Sequence, residues 1–297
     1  MPSKTSLLGG LLVAITSFLA AQVNAAFITD YSPGCFRPAT VKSGKFNMTI
    51  NGTERQYVVR VPDNYNPFNP YRVVVALHWF GGTIDDLEKN STKYGNGTYY
   101  GLKKIAGDTA IFVAPQGINS LWMNTNGEDL AFVDALVKLL DDGLCVDQSR
   151  RLAVGFSFGA SMANAIANTR AKTFRAVAVM SGNQVTPFTG KSLPVSVYVQ
   201  HGVRDPGIDN PITQGRAIRD RFVKLNGCIP KDVKEPQPGS KTHIRTDYNF
   251  CFFGHQVTYV AFDGVHEYSP VDAGKTSSWV PEEIWKFFLT APRPTIW

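Results

Sequence analysis

Arg151-Leu152-Ala153-Val154-Gly155-Phe156-Ser157-Phe158-Gly159, continued by Ala160-Ser161-Met162-Ala163-Asn164-Ala165-Ile166-Ala167, is the stretch that decides the fold. Its first four residues read as a short buried strand and its last eight as a helix. Between them lies a G-x-S-x-G pentapeptide. A serine on a tight strand-to-helix turn is forced into a strained backbone conformation that only small neighbours allow. The turn exposes the hydroxyl and aims the helix N-terminus at it. The pentapeptide alone is weak, because glycine and serine are common; the strand before and the helix after make Ser157 a candidate nucleophile. The structural alternative is a glycine-rich turn that packs a helix onto a sheet.

Outward from this turn, continuous apolar runs recur: Arg72 to Leu77, Ala110 to Ala114, Ala176 to Met180 and Val195 to Val199. Runs of that kind are expected of strands covered on both faces. Between them Leu130, Val133, Leu136, Val137 and Leu140 recur at helical spacing, as do Ile218, Phe222 and Leu225, and Ile284, Phe287 and Phe288 suggest a closing helix. Strands alternating with helices predict an α/β fold, a mostly parallel central sheet with helices on both faces. Near the N-terminus, Phe46 to Ile50 and Thr53 to Val61 flank Asn51-Gly52, a strong hairpin signal, and predict an antiparallel pair at a sheet edge.

Residues 1–25 read as a secretory signal: Lys4, an apolar run from Leu7 to Ala21, and Val23-Asn24-Ala25 as the cleavage site before Ala26. A membrane anchor is the alternative, but Gly9, Gly10, Thr16 and Ser17 interrupt the run. Residues 26–297 are then expected to form one secreted catalytic domain, a length that one large domain accommodates. Sequons at Asn47, Asn51, Asn90 and Asn96 and an even set of cysteines, Cys35, Cys145, Cys228 and Cys251, agree with export. Three disulfide pairings are open. Cys228–Cys251 is favoured, because the Pro-, Gly- and Lys-rich segment between them needs a staple, which leaves Cys35–Cys145. None of the cysteines has metal-ligand spacing, and neither a metal nor another cofactor is expected. The net charge of +6 includes Lys4 and falls to +5 without the signal. The charge is spread along the chain with no Lys/Arg block, which argues against a nucleic-acid partner. A membrane partner is not expected either, and the protein is expected to act as a monomer.

A serine hydroxyl needs a base, and the base an orienting carboxylate. Of the five histidines, His266 alone follows a late strand, on the loop Phe262-Asp263-Gly264-Val265-His266, and is the candidate base. His243 and His255 read as surface or structural residues, His201 as a buried hydrogen-bonded one, and His78 as a support for the loop it begins. The acid is expected between serine and histidine, just after a strand: Asp205, with Asp209 as competitor; Asp263 stands too close to His266. As a bland reading, Asp205 is a turn-former before Pro206. The oxyanion needs two N–H donors. Phe158 supplies one, and Phe80, or failing it Trp79, supplies the other from His78-Trp79-Phe80-Gly81-Gly82-Thr83. Trp79 and Trp122 are candidate substrate-binding residues, although aromatic loop residues more often simply pack.

Taken with Ala76 to Thr83, Val113 to Gly117, Asn126 to Asp134, Leu144 to Asp147, Phe174 to Gly182, Asn226-Gly227-Cys228 and Phe262 to His266, the chain resembles fungal feruloyl esterases of the carbohydrate esterase family 1 type. The resemblance covers nearly all of the chain after residue 25. It implies the α/β-hydrolase fold, hydrolysis of hydroxycinnamoyl esters of plant cell-wall polysaccharide (feruloylated arabinoxylan or pectin), and Ser157, Asp205 and His266 as a triad. An acetyl xylan esterase or a polyester (polyhydroxyalkanoate) depolymerase with the same residues is the nearest alternative. A non-catalytic secreted glycoprotein that binds polysaccharide is the alternative of another class.

Overall fold

The computed structural model describes residues 30–89, 97–206 and 211–293. The signal segment, Asn90, Asn96 and Asp209 lie outside the described residues. From Tyr31 onward the chain forms one unit.

The hairpin comes first. Strand β1 (Gly44–Ile50) pairs antiparallel with β2 (Thr53–Arg60), Ile50 facing Thr53. Asn51 and Gly52 between them both have positive φ, 49° and 81°, as a two-residue turn matched to the strand twist requires. Asn47 and Asn51 are exposed on this hairpin.

The sheet continues with β3 (Tyr71–Leu77), β4 (Ala110–Pro115), β5 (Val146–Phe156), β6 (Ala176–Met180), β7 (Ser196–Gly202), β8 (His243–Tyr248) and β9 (Val257–Phe262). Among the described residues it is nine-stranded, in the order β1-β2-β4-β3-β5-β6-β7-β9-β8. Strands β4, β3, β5, β6, β7 and β9 are parallel to their neighbours, while β2 joins β4 and β8 joins β9 antiparallel. Every residue of β4, β6, β7 and β9 is buried, the reason these strands read as unbroken apolar runs rather than alternations.

Helices α3 (Glu128–Gly143), α4 (Phe158–Thr169) and α5 (Ile212–Leu225) cover one face, with Leu130, Val133, Ile166, Ile218 and Phe222 in its core. The short α1 (Ile84–Glu88) and α2 (Leu102–Ala106), with α6 (Val280–Thr290), cover the other through Ile84, Leu102, Ile284 and Phe287.

Two elements differ from the sequence reading. Strand β5 starts at Val146, not near Leu152, because its polar stretch is paired locally. Asp147 accepts from the Ser149 hydroxyl and amide, and Arg151 forms a buried ion pair with Asp141 of α3. Strand β8 has half-buried residues and no clear alternation, so it is defined by its register with β9, His243 opposite Phe262. The disulfides are Cys35–Cys145 and Cys228–Cys251, the favoured pairing.

The topology places the site. From β3 the sheet grows outward in both directions, to β4 on one side and β5 on the other. Such a reversal opens a crevice at the carboxyl ends of the strands, where α/β sheets bind ligands. The loops after β3 and β5 are those that hold His78–Thr83 and Ser157.

Candidate active site

Ser157 joins β5 to α4 with φ 56° and ψ −120°, a conformation L-residues rarely adopt. Both glycines of the pentapeptide are required by space. A Cβ on Gly155 would run into the Gly159 carbonyl, and a Cβ on Gly159 into the carbonyls of Leu77 and His78. The turn is pinned by its backbone: Ser157 N–H donates to Met180 O at 3.0 Å, and Ser157 O accepts from Ala160 and Ser161 N–H. The serine therefore stands at the positive end of a twelve-residue helix.

His266 lies on the loop after β9. Its Nε2 is 2.8 Å from Ser157 Oγ and its Nδ1 is 2.7 Å from Asp205 Oδ2. Its ring packs on Phe156, centroids 4.8 Å apart. The Asp205 side chain is fully buried at the turn after β7, where Asp205 N–H donates to Gly202 O. Ser157, His266 and Asp205 thus form one hydrogen-bonded line. Asp263 is not part of it: its carboxylate takes Arg204 Nε and Lys241 N–H, each at 2.7 Å. These donors hold the Asp263 carboxyl below the usual aspartate range, the Lys241 amide chief among them.

The other histidines sit apart from the serine. His255 is buried, and its burial lowers its pKa. His243 stacks on Trp279 and contacts Asp272 and Glu283. His201 is buried behind Asp205. His78 supports the loop it begins. Gly117 N–H can only donate, so His78 Nε2 accepts it at 2.9 Å, and Nδ1–H donates to Trp79 O, also at 2.9 Å. Burial pushes the His78 pKa down to about 4, so the ring stays neutral and keeps both bonds.

Trp122 corrects an expectation. It is fully buried, its ring 4.7 Å from that of His78, and its Nε1–H donates to His78 O at 2.7 Å. No face of it is open to a ligand; it buttresses the loop His78–Thr83. Trp79 is half-buried and stacks on Tyr268 at 6.1 Å. Phe80 is 69% exposed, and its ring stacks on Phe158 at 6.4 Å and 29°. Among the described residues, neither Phe80 N–H nor Phe158 N–H donates to a protein acceptor.

Sequence reasoning missed Gln116 and Tyr268. Gln116 bridges His78 Nε2 and the Ile84 amide, tying the loop to α1. Tyr268 wedges among Phe156, Trp79 and Tyr100. Gln116 carried a signal, since Val113 to Gly117 stood out as a segment; Tyr268 carried none. Charged cavities of about 520 and 630 Å³ lie elsewhere, around Arg60 and Lys103 and around Arg245 and Lys286. Among the described residues no group of histidine, cysteine and carboxylate side chains is arranged to hold a metal, and no helix is long and apolar enough to cross a membrane.

No protein-family model matches the chain. Among curated proteins it is 41% identical to feruloyl esterase C of Emericella nidulans over 260 residues, 88% of this chain and 92% of that one. It is 41% identical to the probable feruloyl esterase C of Aspergillus niger (94% and 98% covered) and 39% identical to feruloyl esterase D of Neurospora crassa (95% and 99%). Among solved structures it is similar to acetyl xylan esterase from Aspergillus awamori, TM-score 0.59 at 16% identity, covering 82% of this chain and 98% of that one. A thermostable esterase gives a TM-score of 0.53 at 18% identity, with 84% and 62% covered. The fold is that of the α/β-hydrolase esterases, and the level and extent of sequence identity place this chain in the feruloyl esterase family of carboxylic ester hydrolases.

Proposed function

We propose that the protein is a secreted esterase that releases hydroxycinnamic acids such as ferulic acid from plant cell-wall polysaccharide, arabinoxylan or pectin. The observation that carries this reading is the line Ser157–His266–Asp205, at 2.8 and 2.7 Å, in a chain about 40% identical to feruloyl esterases. Ser157 Oγ attacks the ester carbonyl while His266 Nε2 takes its proton. Asp205 orients the ring and stabilises the imidazolium. The developing oxyanion takes hydrogen bonds from the Phe158 and Phe80 amides. His266 then gives its proton to the sugar oxygen, which leaves as the alcohol. Water, deprotonated by His266, attacks the acyl-enzyme and releases the acid, and the proton returns to Ser157.

Trp79 and the exposed Phe80 ring offer apolar surface for a planar acyl group. Residues 26–297 form the mature catalytic domain in this reading. Removal of residues 1–25, glycans on the sequons, action as a monomer and a site without cofactor belong to it as well.

Two measurements test it. Ser157→Ala should lower kcat by roughly 10⁴-fold or more with the fold retained; a variant keeping a tenth of the rate removes Ser157 from the mechanism. Feruloyl and acetyl esters of one alcohol, each corrected for its hydroxide-catalysed rate, test the acyl preference. An aromatic contact of roughly 0.5–1.5 kcal/mol plus burial of the ring predicts at least a tenfold higher kcat/KM for ferulate. Equal values would favour an acetyl xylan esterase.

A further inference from the structure

The end of the sheet opposite Ser157 carries positive charge that the fold leaves largely without acceptors. Arg72 lies at the start of β3, Arg150 in the first half of β5, and Arg175 just before β6. These strands are neighbours in the sheet, and Arg175 N–H donates to Arg151 O at 2.8 Å, so the three arginines share its amino edge. The carboxylate that offsets them is Asp147. Its Oδ2 pairs with Arg150 Nε at 3.0 Å, and its Oδ1 is taken by Ser149. Arg175 Nε donates to Ala291 O at the end of α6, and among the described residues its other nitrogens have no acceptor. Arg72 has no acceptor there at all; its guanidinium lies 6.0 Å from the Trp285 ring.

An aromatic patch adjoins this edge. The Tyr31 backbone pairs with that of Asp147. The Tyr31 ring meets Phe36 at 5.3 Å, and Phe36 meets Phe68 at 5.8 Å; the three residues are 40, 57 and 66% exposed. Phe36 holds φ 62°, which a bulky residue rarely adopts. The Cys35–Cys145 bridge and a 2.9 Å bond from Phe36 N–H to Pro67 O keep it there, with its ring turned to water. We propose that this edge binds acidic plant-wall polysaccharide, with uronate carboxylates on Arg72, Arg150 and Arg175 and sugar rings packed on Tyr31, Phe36 and Phe68. The source of such a polymer rests on the esterase reading above; the site itself does not. Burial first, then the Arg150 charge, lowers the Arg72 pKa, and burial followed by Arg150, Arg293 and Arg72 pulls Arg175 down to about 10. A bound carboxylate relieves that repulsion and accepts the paired N–H groups that a guanidinium presents. Charge alone would take any anion. The aromatic patch selects a sugar, whose C–H face is the electropositive partner of a ring face, and contiguous exposed apolar surface marks a binding site. A strand running from Arg150 to Ser157 is roughly 20 Å long, so a polymer held at the amino edge leaves the crevice at the carboxyl ends open.

Calorimetry with polygalacturonate tests the site, and fully methyl-esterified polygalacturonate and dextran sulfate serve as comparisons. Wild-type protein should bind polygalacturonate, more tightly at low salt than at high salt. The methyl-esterified polymer keeps the sugar and loses the charge, and should bind at least tenfold more weakly. Dextran sulfate keeps a charged sugar chain without carboxylates and should also bind more weakly per charged group. Arg72→Gln with Arg150→Gln should weaken polygalacturonate binding at least tenfold, and Phe36→Ala with Phe68→Ala at least fivefold. Both double variants should turn over methyl ferulate within twofold of the wild type, which also shows that they are folded. Should either fail to fold, the comparison of polymers on the wild type still decides. The proposal is overturned if polygalacturonate does not bind at low salt, if its methyl ester binds equally, or if dextran sulfate binds as tightly. It is also overturned if either folded double variant binds polygalacturonate as the wild type does. Binding is read without turnover, so an inactive enzyme that binds fails only the esterase reading, and an active one that does not bind fails only this proposal.

Discussion

At the scale of single residues, the site depends on where hydrogen-bond donors have acceptors. His78 is neutral and saturated, and Trp122 donates to its carbonyl; together they hold the backbone that carries Phe80. Trp122→Phe keeps the bulk but leaves His78 O without that donor in a buried place. Such a loss costs about 1–3 kcal/mol. The variant should melt earlier, and turnover should fall for feruloyl and acetyl esters by similar factors, since the loop proposed to hold the oxyanion would serve every acyl group. A selective loss of feruloyl turnover would mean that Trp122 touches substrate after all. Ala160 shows the same economy of space. Its methyl faces Gly182, whose own Cβ would lie 2.6 Å away, so the turn after β6 can close over α4.

At the scale of elements, the edge strand β8 is tied to the chain that follows His266. His243 of β8 stacks on Trp279, centroids 4.0 Å apart, with Nδ1 2.8 Å from Asp272 and Nε2 3.6 Å from Glu283 of α6. Arg245 of the same strand contacts Glu283 at 3.1 Å. Burial pulls the His243 pKa down, but the hydrogen bonds to Glu283 and Asp272 outweigh it and the net shift is upward. A raised folded-state value means the charged clamp contributes fully below the ordinary imidazole pKa of about 6.5 and fades as pH rises through the folded value. The thermal midpoint of the wild type should therefore exceed that of His243→Gln most at pH 5.5, with the gap narrowing toward pH 8.5. A gap that widens with pH would contradict a charged clamp.

At the scale of the whole molecule, the two disulfides close loops of very different length. Cys35–Cys145 spans 110 residues and fastens the N-terminal segment to the start of β5; Cys228–Cys251 spans 23. In the chain-entropy model the longer loop is worth more by about 1.4 kcal/mol, from the logarithm of the ratio of lengths. Removing Cys35–Cys145 by paired serine substitution should lower unfolding free energy by that much more than removing Cys228–Cys251. Urea unfolding of the two double variants measures it. The reverse order would show that local contacts around each bridge outweigh loop closure.

Local physics reaches far in this chain. Buried parallel strands must be apolar throughout, so β3, β4, β6, β7 and β9 can be read from composition. A two-residue hairpin needs positive φ twice, so Asn51-Gly52 marks its own turn. The strained serine needs glycine on both sides, so Gly155 and Gly159 announce Ser157. What sequence could not determine are the contacts between distant segments. Ser157 and His266 are 109 residues apart, and His266 and Asp205 are 61. Chain order ranked Asp205 before Asp209, but a hydrogen bond to His266 exists only once β7 and β9 lie side by side. Trp122 reads the same whether it faces substrate or core, and only the close approach of two loops buries it under His78. The same holds for β8, whose partner is β9 in space.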